Sequence, residues 1–214
     1  MKTLFTPEFR ADTLPLWTAF FSCLLAVYLG FSWLTSLLTS AGFLPGTANT
    51  GITGFNLGGV VGALSGGWAI ARCGSRAAML TMTALAVAGA LGLSAQAIAA
   101  GSPILPVIAL LAFTGAMING VQTTMYALAA HVYPGSVRAT GVGTAVSFGR
   151  SGSIVSGYAG AWTLEYGHGA FFGLMAASMA VTFMSLALVR RHVPATLRAP
   201  LGPRAPVSSA DPPA

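Results

Sequence analysis

One arginine, Arg150, lies in the middle of a long apolar run that extends from about residue 139 to 162. A charged side chain at the centre of a bilayer costs about 2.5 to 3.5 kcal/mol on insertion scales. If a helix begins near Arg138, Arg150 is about 18 Å along it, near the middle of a hydrocarbon core about 30 Å thick. Its guanidinium should therefore face the protein interior, a partner or a water-filled cavity.

The chemistry of this position favours an anion. A guanidinium stays charged and can hold a carboxylate through two parallel hydrogen bonds. The four acidic residues all lie at the ends or breaks of apolar runs, so none is expected to neutralise Arg150: Glu8, Asp12, Glu165 and Asp211. We predict that Arg150 binds the carboxylate of an organic anion. The alternative is a structural arginine bonded to backbone carbonyls or to an acid outside this chain.

Other polar and aromatic side chains occur in two of the remaining apolar runs. Asn119, Gln122 and Tyr126 are spaced by three and four residues and so share one helix face. They could hydrogen-bond a phenolic hydroxyl or a carboxylate, or they could join helices together. Tyr28 and Trp33 could stack on an aromatic ring, or they could serve as packing or interface residues.

A catalytic alternative comes from Gly149-Arg150-Ser151-Gly152, which fits the Gly-x-Ser-Gly pattern of rhomboid intramembrane proteases. His168 would have to be the partner of Ser151, but the two residues are predicted at different depths, which opposes nucleophilic catalysis. No zinc, phosphate-loop or dinucleotide motif occurs. We therefore expect no enzyme activity, no cofactor and no metal.

The composition is that of an integral membrane protein. Only 7% of residues are charged, 55% are hydrophobic and the mean hydropathy is +0.76, which a soluble domain could not tolerate on its surface. A span needs about 20 apolar residues, and six segments qualify: roughly 14–38, 51–71, 77–99, 104–130, 139–162 and 169–189. The expected fold is all-α with six transmembrane helices.

The basic residues predict the orientation of these helices. Apart from Arg150, every lysine and arginine falls in a tail or at alternate breaks between the segments. Positive residues stay on the cytoplasmic side, so both termini should be cytoplasmic, in an inner (plasma) membrane of bacterial type. The same rule accounts for the net charge of +6. With no basic helix face, we expect the lipid bilayer as a partner and no nucleic acid.

The chain divides into a cytoplasmic N-terminal segment (1–13), a six-helix bundle (14–193) and a proline-rich tail (194–214) that is predicted to be disordered.

Glycines at four-residue spacing predict tight packing of the second and fifth helices, at Gly58, Gly62, Gly66, Gly141, Gly149 and Gly157. The third and sixth helices are nearly all apolar and are expected to face lipid. Helices one to three and helices four to six thus show the same order of types: one with polar and aromatic residues, one tightly packed and one facing lipid. This order predicts a three-plus-three inverted repeat.

The stretch Gly67-Trp68-Ala69-Ile70-Ala71-Arg72-Cys73-Gly74-Ser75-Arg76 resembles the loop signature of the major facilitator superfamily. Arg72, Gly74 and Arg76 match its arginine, glycine and final basic positions. Ala71 stands where the signature has an acid, so the salt bridge of that acid should be lacking here.

Two further stretches resemble the aromatic acid/proton symporters of that superfamily. Phe55-Asn56-Leu57-Gly58-Gly59-Val60-Val61-Gly62 is similar to their eighth helix, and residues 133–152, with Tyr133-Pro134, Arg138-Ala139-Thr140-Gly141 and Gly149-Arg150-Ser151-Gly152, are similar to the region of helices ten and eleven. The resemblance covers about residues 4–193 and matches the C-terminal six-helix half of such a carrier.

The resemblance implies proton-coupled secondary transport of a small organic acid, aromatic in that family. It also implies partners: the organic anion, protons, and either an N-terminal six-helix half or a second copy of this chain. The acids that couple protons would lie on the other half. The alternative is a truncated or split remnant with no activity of its own.

Overall fold

A computed structural model describes residues 7–96, 98 and 103–195, with side chains from Ala11 onward. The predicted tail therefore lies outside the described residues from position 196 on. The described part is all α-helix and loop, with six long helices: α1 (Pro7–Ser40), α2 (Pro45–Cys73), α3 (Ser75–Ala95), α4 (Ile104–Val132), α5 (Arg138–Glu165) and α6 (His168–Leu188). The prediction of an all-α chain with six long helices is confirmed for these residues.

The helices differ from the predicted spans mainly at their ends. α1 begins at Pro7 instead of about residue 14, and α2 begins at Pro45 instead of about residue 51, so both helices extend beyond the apolar runs that predicted them. In the first turns of α1, Asp12 and Thr13 are bonded to other elements. A single residue, Gly74, separates α2 from α3. Its φ of +81° is a conformation that glycine adopts at no steric cost.

Four helices are long and apolar enough to cross a membrane: α1 from Ala11, α3, α4 and α6. α2 and α5 contain 29 and 28 residues, so at about 1.5 Å per residue they are also long enough. Glycines and hydroxyl residues lower their hydropathy, which separates them from the other four.

The helices form one bundle with a defined set of neighbours. α2 packs along α4, α5 packs along α1, and α3 and α6 pack against each other; α6 also contacts α1, and α3 also contacts α4. α3 and α6 bury one face in these contacts and leave the other exposed. The hydrophobic core is centred on α1 and α4.

The α2–α4 contact is a close approach of two helix backbones. A Cβ added at Gly58 would overlap the carbonyl oxygen of Ala112, and one added at Gly62 would overlap the carbonyl oxygen of Ala116. Farther along, a Cβ at Gly66 would lie 3.0 Å from Cγ2 of Thr124. Small residues permit such approach where lipid provides no hydrophobic incentive for association.

The α1–α5 contact uses a different set of small residues from the predicted one. Gly149 lies against Phe20 and Leu24, and Gly152 lies against the backbone of Phe21, whereas a Cβ at Gly157 would meet no atom within 4 Å. Four residues turn a helix by about 400°, so a strict four-residue stripe drifts about 40° per step. The buried face of α5 follows alternating steps instead, through Gly149, Gly152, Ser156, Gly160 and Thr163.

Gly141 has a third kind of neighbour. A Cβ there would lie 2.5 Å from the ring of Tyr133, in the connection between α4 and α5. The buried Tyr133 hydroxyl donates a hydrogen bond to the Thr13 hydroxyl of α1 at 3.3 Å. Gly141 therefore makes room for an aromatic side chain that ties this connection to the start of α1.

We expect Gly62→Ala to lower the stability of the bundle, because its methyl group would overlap the Ala116 carbonyl and overpacking costs about 1 to 3 kcal/mol. Gly157→Ala is the matched control: its methyl group meets no atom, and alanine improves helix propensity by up to about 1 kcal/mol. Unfolding midpoints in detergent measure both effects. Equal midpoints for the two variants would contradict the backbone contact.

Candidate functional site

A row of polar side chains follows one face of α4. Gln122 donates a hydrogen bond from its amide nitrogen to the Tyr126 hydroxyl oxygen at 3.2 Å. Thr123 donates to the Asn119 carbonyl at 2.9 Å. Tyr126 and Thr123 are exposed and Gln122 is half-buried. Because unpaired polar groups are costly in lipid, this face is suited to water, a ligand or another protein surface rather than to hydrocarbon.

Asn119 lies at the seam between α4 and α2. Its amide nitrogen donates to the Gly115 carbonyl at 3.0 Å within α4, and a Cβ on Gly59 of α2 would come within 3.0 Å of its Cγ. This close fit favours a packing role for Asn119, whereas Gln122 is half-buried and Tyr126 is exposed.

The Tyr126 ring is held from α1. Its centroid lies 5.5 Å from that of Phe20, with an interplanar angle of 71°. This edge-to-face arrangement and the hydrogen bond from Gln122 restrain the ring at two points. Since the Tyr126 oxygen accepts from Gln122, the hydroxyl proton is available to donate to a further acceptor. The sequence pattern did not single out Phe20, because one phenylalanine among many in an apolar helix carries no distinguishing signal.

Tyr28 belongs to a second aromatic group. It is exposed and meets Phe31 edge-to-face at 6.3 Å between centroids, and Phe31 in turn meets Phe55 of α2 at 6.0 Å. Phe55 is fully buried, and a Cβ on Gly30 would collide with its ring. The group forms an apolar wall across α1 and α2, and its exposed members are Tyr28 and Phe31.

Trp33 has different surroundings. A Cβ on Gly160 of α5 would lie within the van der Waals radius of the Trp33 ring. The indole nitrogen is buried and has no hydrogen-bond partner among the described residues. These contacts agree with the packing role that the sequence left open for Trp33.

Arg150 is exposed, and α5 begins at Arg138, so Arg150 lies twelve residues into the helix. The residues beside it are fixed by α1: Phe148 stacks on Trp17 at 5.4 Å between centroids, and Gly149 packs on Phe20. Arg150 follows Gly149 by about 100° around the helix, away from this contact. Within the described part of the chain, its guanidinium forms no hydrogen bond or ion pair.

The acidic residues lie elsewhere. Asp12, only 2% exposed, accepts a hydrogen bond from the backbone N–H of Arg190 at 2.6 Å and pairs with the Arg191 Nε at 3.7 Å. Glu165 is exposed at the end of α5. The Glu8 side chain and Asp211 are outside the described residues. Arg150 therefore has a charge that no described acid balances.

The loop motif takes an unexpected form. The Arg72 guanidinium lies 4.9 Å from the centroid of the Trp68 ring, one turn earlier on α2. A cation over an indole face is attracted by the ring quadrupole. This contact engages Arg72 in a sequence where Ala71 replaces the acid. Arg76 is exposed, and Gly74 lies against the backbone of Val193, which follows α6.

Catalytic and metal sites find no support in the described residues. The Ser151 hydroxyl donates to the Phe148 carbonyl of its own helix, and no hydrogen bond joins it to His168, which begins α6. The part of the chain that the structure describes contains no group of three or more His, Cys, Asp or Glu side chains that could hold a metal ion.

Comparison with known proteins decides the family. The model of the Major Facilitator Superfamily matches residues 16–211, nearly the whole chain. The chain belongs to the Major Facilitator Superfamily. It is thus an integral membrane protein of a transporter family and not an enzyme, as the residues predicted.

Several curated relatives carry names of aromatic acid transporters. The chain is 36% identical over 169 residues to a gallate transporter of Pseudomonas putida, covering 78% of the chain and 36% of the relative. It is 35% identical over 178 residues to the 3-(3-hydroxy-phenyl)propionate transporter of Escherichia coli K12, covering 83% and 43%. It is 33% identical over 165 residues to the 4-hydroxybenzoate transporter PcaK of Pseudomonas putida, covering 77% and 36%. The chain thus spans less than half the length of these relatives.

Proposed function

We propose that this chain is the C-terminal six-helix half of a secondary transporter for a small aromatic acid, coupled to protons and completed by an N-terminal six-helix half. The observation that carries the proposal is the exposed, unpaired guanidinium of Arg150 at mid-depth in α5. A carboxylate that reaches this exposed side chain would supply the missing charge through a bidentate pair.

The helix neighbours support a three-plus-three inverted repeat. Exchanging α1 with α4, α2 with α5, and α3 with α6 converts the α1–α5 contact into α4–α2 and the α1–α6 contact into α4–α3. The α3–α6 contact maps onto itself. Each half of a major facilitator carrier is built from such a repeat, with the substrate site near the bilayer midplane.

The exposed faces of α2 and α5 support a partner half. α2 exposes a run of large apolar side chains, and so does α5: Leu57, Val60, Val61, Leu64 and Trp68 on the first, and Ile154, Val155, Tyr158 and Trp162 on the second. These are also the two helices of lower hydropathy, with glycines and hydroxyls interspersed. Such mixed faces are better suited to another helical surface than to lipid. We favour an N-terminal half over a second copy, because a second copy would bring no membrane-embedded acid to couple protons.

We assign the side chains that meet the substrate from their chemistry and their exposure. Arg150 takes the carboxylate, Tyr28 with Phe31 offers aromatic faces, and the Gln122–Tyr126 pair takes a ring hydroxyl. Tyr126 has a free hydroxyl proton to donate, and the Gln122 carbonyl oxygen can accept one. All the relatives cited above are named for hydroxylated aromatic acids.

The orientation follows the positive-inside rule. The end of the bundle with the α2–α3 junction also contains the start of α1, the α4–α5 connection and the end of α6, and it carries Arg72, Arg76, Arg138, Arg190 and Arg191. We assign this end, with both termini, to the cytoplasmic side of an inner membrane.

We expect Arg150→Lys to reduce uptake of 4-hydroxybenzoate at least tenfold, since lysine is a point charge that loses the bidentate carboxylate pair, worth more than about 1.4 kcal/mol here. The assay is proton-gradient-driven uptake in proteoliposomes that contain the chain and the N-terminal half of the PcaK relative. Arg190→Lys is the matched control, because its side chain is exposed and only its backbone N–H is bonded to Asp12. Equal uptake by Arg150→Lys and the unsubstituted chain would contradict the carboxylate role. Absence of uptake when the chain and the N-terminal half are both present would favour the alternative, a transporter remnant with no activity of its own.

Tyr126→Phe should change substrate choice without abolishing transport. Removing the hydroxyl should lower uptake of 4-hydroxybenzoate about five- to thirtyfold, as expected for one lost hydrogen bond of about 1 to 2 kcal/mol, while uptake of unsubstituted benzoate stays within twofold. Competition between the two labelled acids in the same proteoliposomes gives the ratio. Equal losses for both acids would show that Tyr126 does not hydrogen-bond the ring hydroxyl.

A further inference from the structure

The segment that follows α6 crosses the end of the bundle and is bonded to two other elements. This segment, residues 189–195, is called the strap below. The Arg190 N–H donates to the Asp12 carboxylate of α1 at 2.6 Å, and the Arg191 Nε pairs with the same carboxylate at 3.7 Å. The Asp12 carboxylate is buried, so its partners in the strap replace the water that it has lost. The strap thus holds the start of α1 to the end of α6.

A second attachment is made at the junction of α2 and α3. The Ser75 N–H donates to the Val193 carbonyl at 2.9 Å, and the Val193 N–H donates to the Ser75 hydroxyl oxygen at 2.8 Å. Ser75 is fully buried. A side chain at Gly74 would crowd the Val193 carbonyl, which would lie 3.2 Å from the added Cβ. The loop motif therefore contacts the strap directly, through its glycine and the serine that follows.

One imidazole lies between these two attachments. The His192 Nε2 is 3.0 Å from the Val189 carbonyl, which can only accept, so Nε2 carries a proton. The His192 Nδ1 is 3.2 Å from the Ser75 hydroxyl. Ser75 already accepts from Val193, and its hydroxyl proton can be donated to a bare Nδ1. The neutral imidazole with its proton on Nε2 therefore satisfies every group in the network.

We propose that the strap is a pH-responsive latch: it ties α1 and the α2–α3 junction to the end of α6 while His192 is neutral, and it loosens when His192 is protonated. A proton on Nδ1 would turn that atom into a donor toward the Ser75 oxygen, and the Ser75 hydroxyl proton would lose its acceptor. The contacts that would loosen are those between Ser75 and Val193. This latch is separate from the proposed substrate site.

The charges around His192 decide the direction of the response. Burial lowers its pKa most, and Arg76 and His131 lower it further, while the Val189 carbonyl and Asp12 raise it; the net effect lowers the pKa. Arg191 in the strap adds another positive neighbour that already pairs with Asp12. When the strap opens, His192 returns to its ordinary pKa of about 6.5. The closed strap is therefore most stable above that pH and loses stability as the pH falls below it.

This direction would suit a carrier that delivers protons with its substrate, a consequence that rests on the proposed function. Acidification of the side on which the strap lies would loosen the start of α3 from the segment that follows α6. The latch itself can be tested without any transport assay, so its failure would leave the proposed function untouched.

Amide hydrogen exchange of the full chain in nanodiscs, at pH 7.5 and pH 5.5, tests the latch. We expect protection of the Ser75 and Val193 amides, corrected for intrinsic exchange, to fall several-fold at the lower pH. The largest possible fall in protection is about tenfold for each unit by which the pKa of His192 differs between the closed and the open strap. His192→Gln, which stays neutral, should show little change between the two pH values.

His168→Gln is the matched control, since it removes a histidine at the opposite end of the bundle, and it should behave as the unsubstituted chain does. Protection that is equal at both pH values in the unsubstituted chain would overturn the proposal. So would a fall of the same size in His192→Gln, because the response would then come from another group such as Asp12.

Discussion

Close approach of helix backbones at two seams is the constraint on which the rest of this bundle depends. At the α2–α4 seam the carbonyl oxygens of Ala112 and Ala116 occupy the positions where side chains on Gly58 and Gly62 would be. At the α1–α5 seam, Gly149 and Gly152 lie on the α1 backbone near Phe20 and Phe21. Both seams place a glycine-rich helix beside a central one, so each outer helix is fixed along one face and leaves its other face open. Arg150 of α5 lies outside the buried face of that helix.

These open faces explain why polar and charged groups can exist at mid-depth. Arg150 has no acidic partner among the described residues, and the Gln122–Tyr126 pair of α4 is only partly buried. In lipid such groups would be costly. Beside a water-filled cavity between two halves these groups would be solvated, and a bound carboxylate would balance the charge of Arg150. The proposed partner half would form the other side of such a cavity.

At the end with the α2–α3 junction, polar bonds join separate helices: Asp12 to the strap, Ser75 to Val193, and Tyr133 to Thr13. The start of α1 takes part in two of these three connections. The seams thus define how helices lie side by side, while this polar network holds their ends together.

Much of the architecture could be predicted from the residues, since long apolar runs and alternating basic breaks depend on local composition alone. The helix bounds agree to within a few residues at most breaks, as at Gly74, whereas α1 and α2 begin at Pro7 and Pro45, before the apolar runs that predicted them. The prediction was wrong for Gly157, because a small rotation at every four-residue step adds up along the helix. Gly157 therefore no longer faces α1, and Gly160 makes the contact with α1 instead. Phe20 beside Tyr126 and His192 beside Ser75 could not be found, because their partners are more than a hundred residues distant in sequence and no pattern links them.

We expect a second six-helix unit to cover the open faces of α2 and α5. Native mass spectrometry of the protein released from its own membrane tests this most directly. The expected species holds one copy of this 21.7 kDa chain with one further six-helix unit, whether bound as a separate polypeptide or joined in a longer one. A species that contains the chain alone, or two copies of it, would contradict this arrangement.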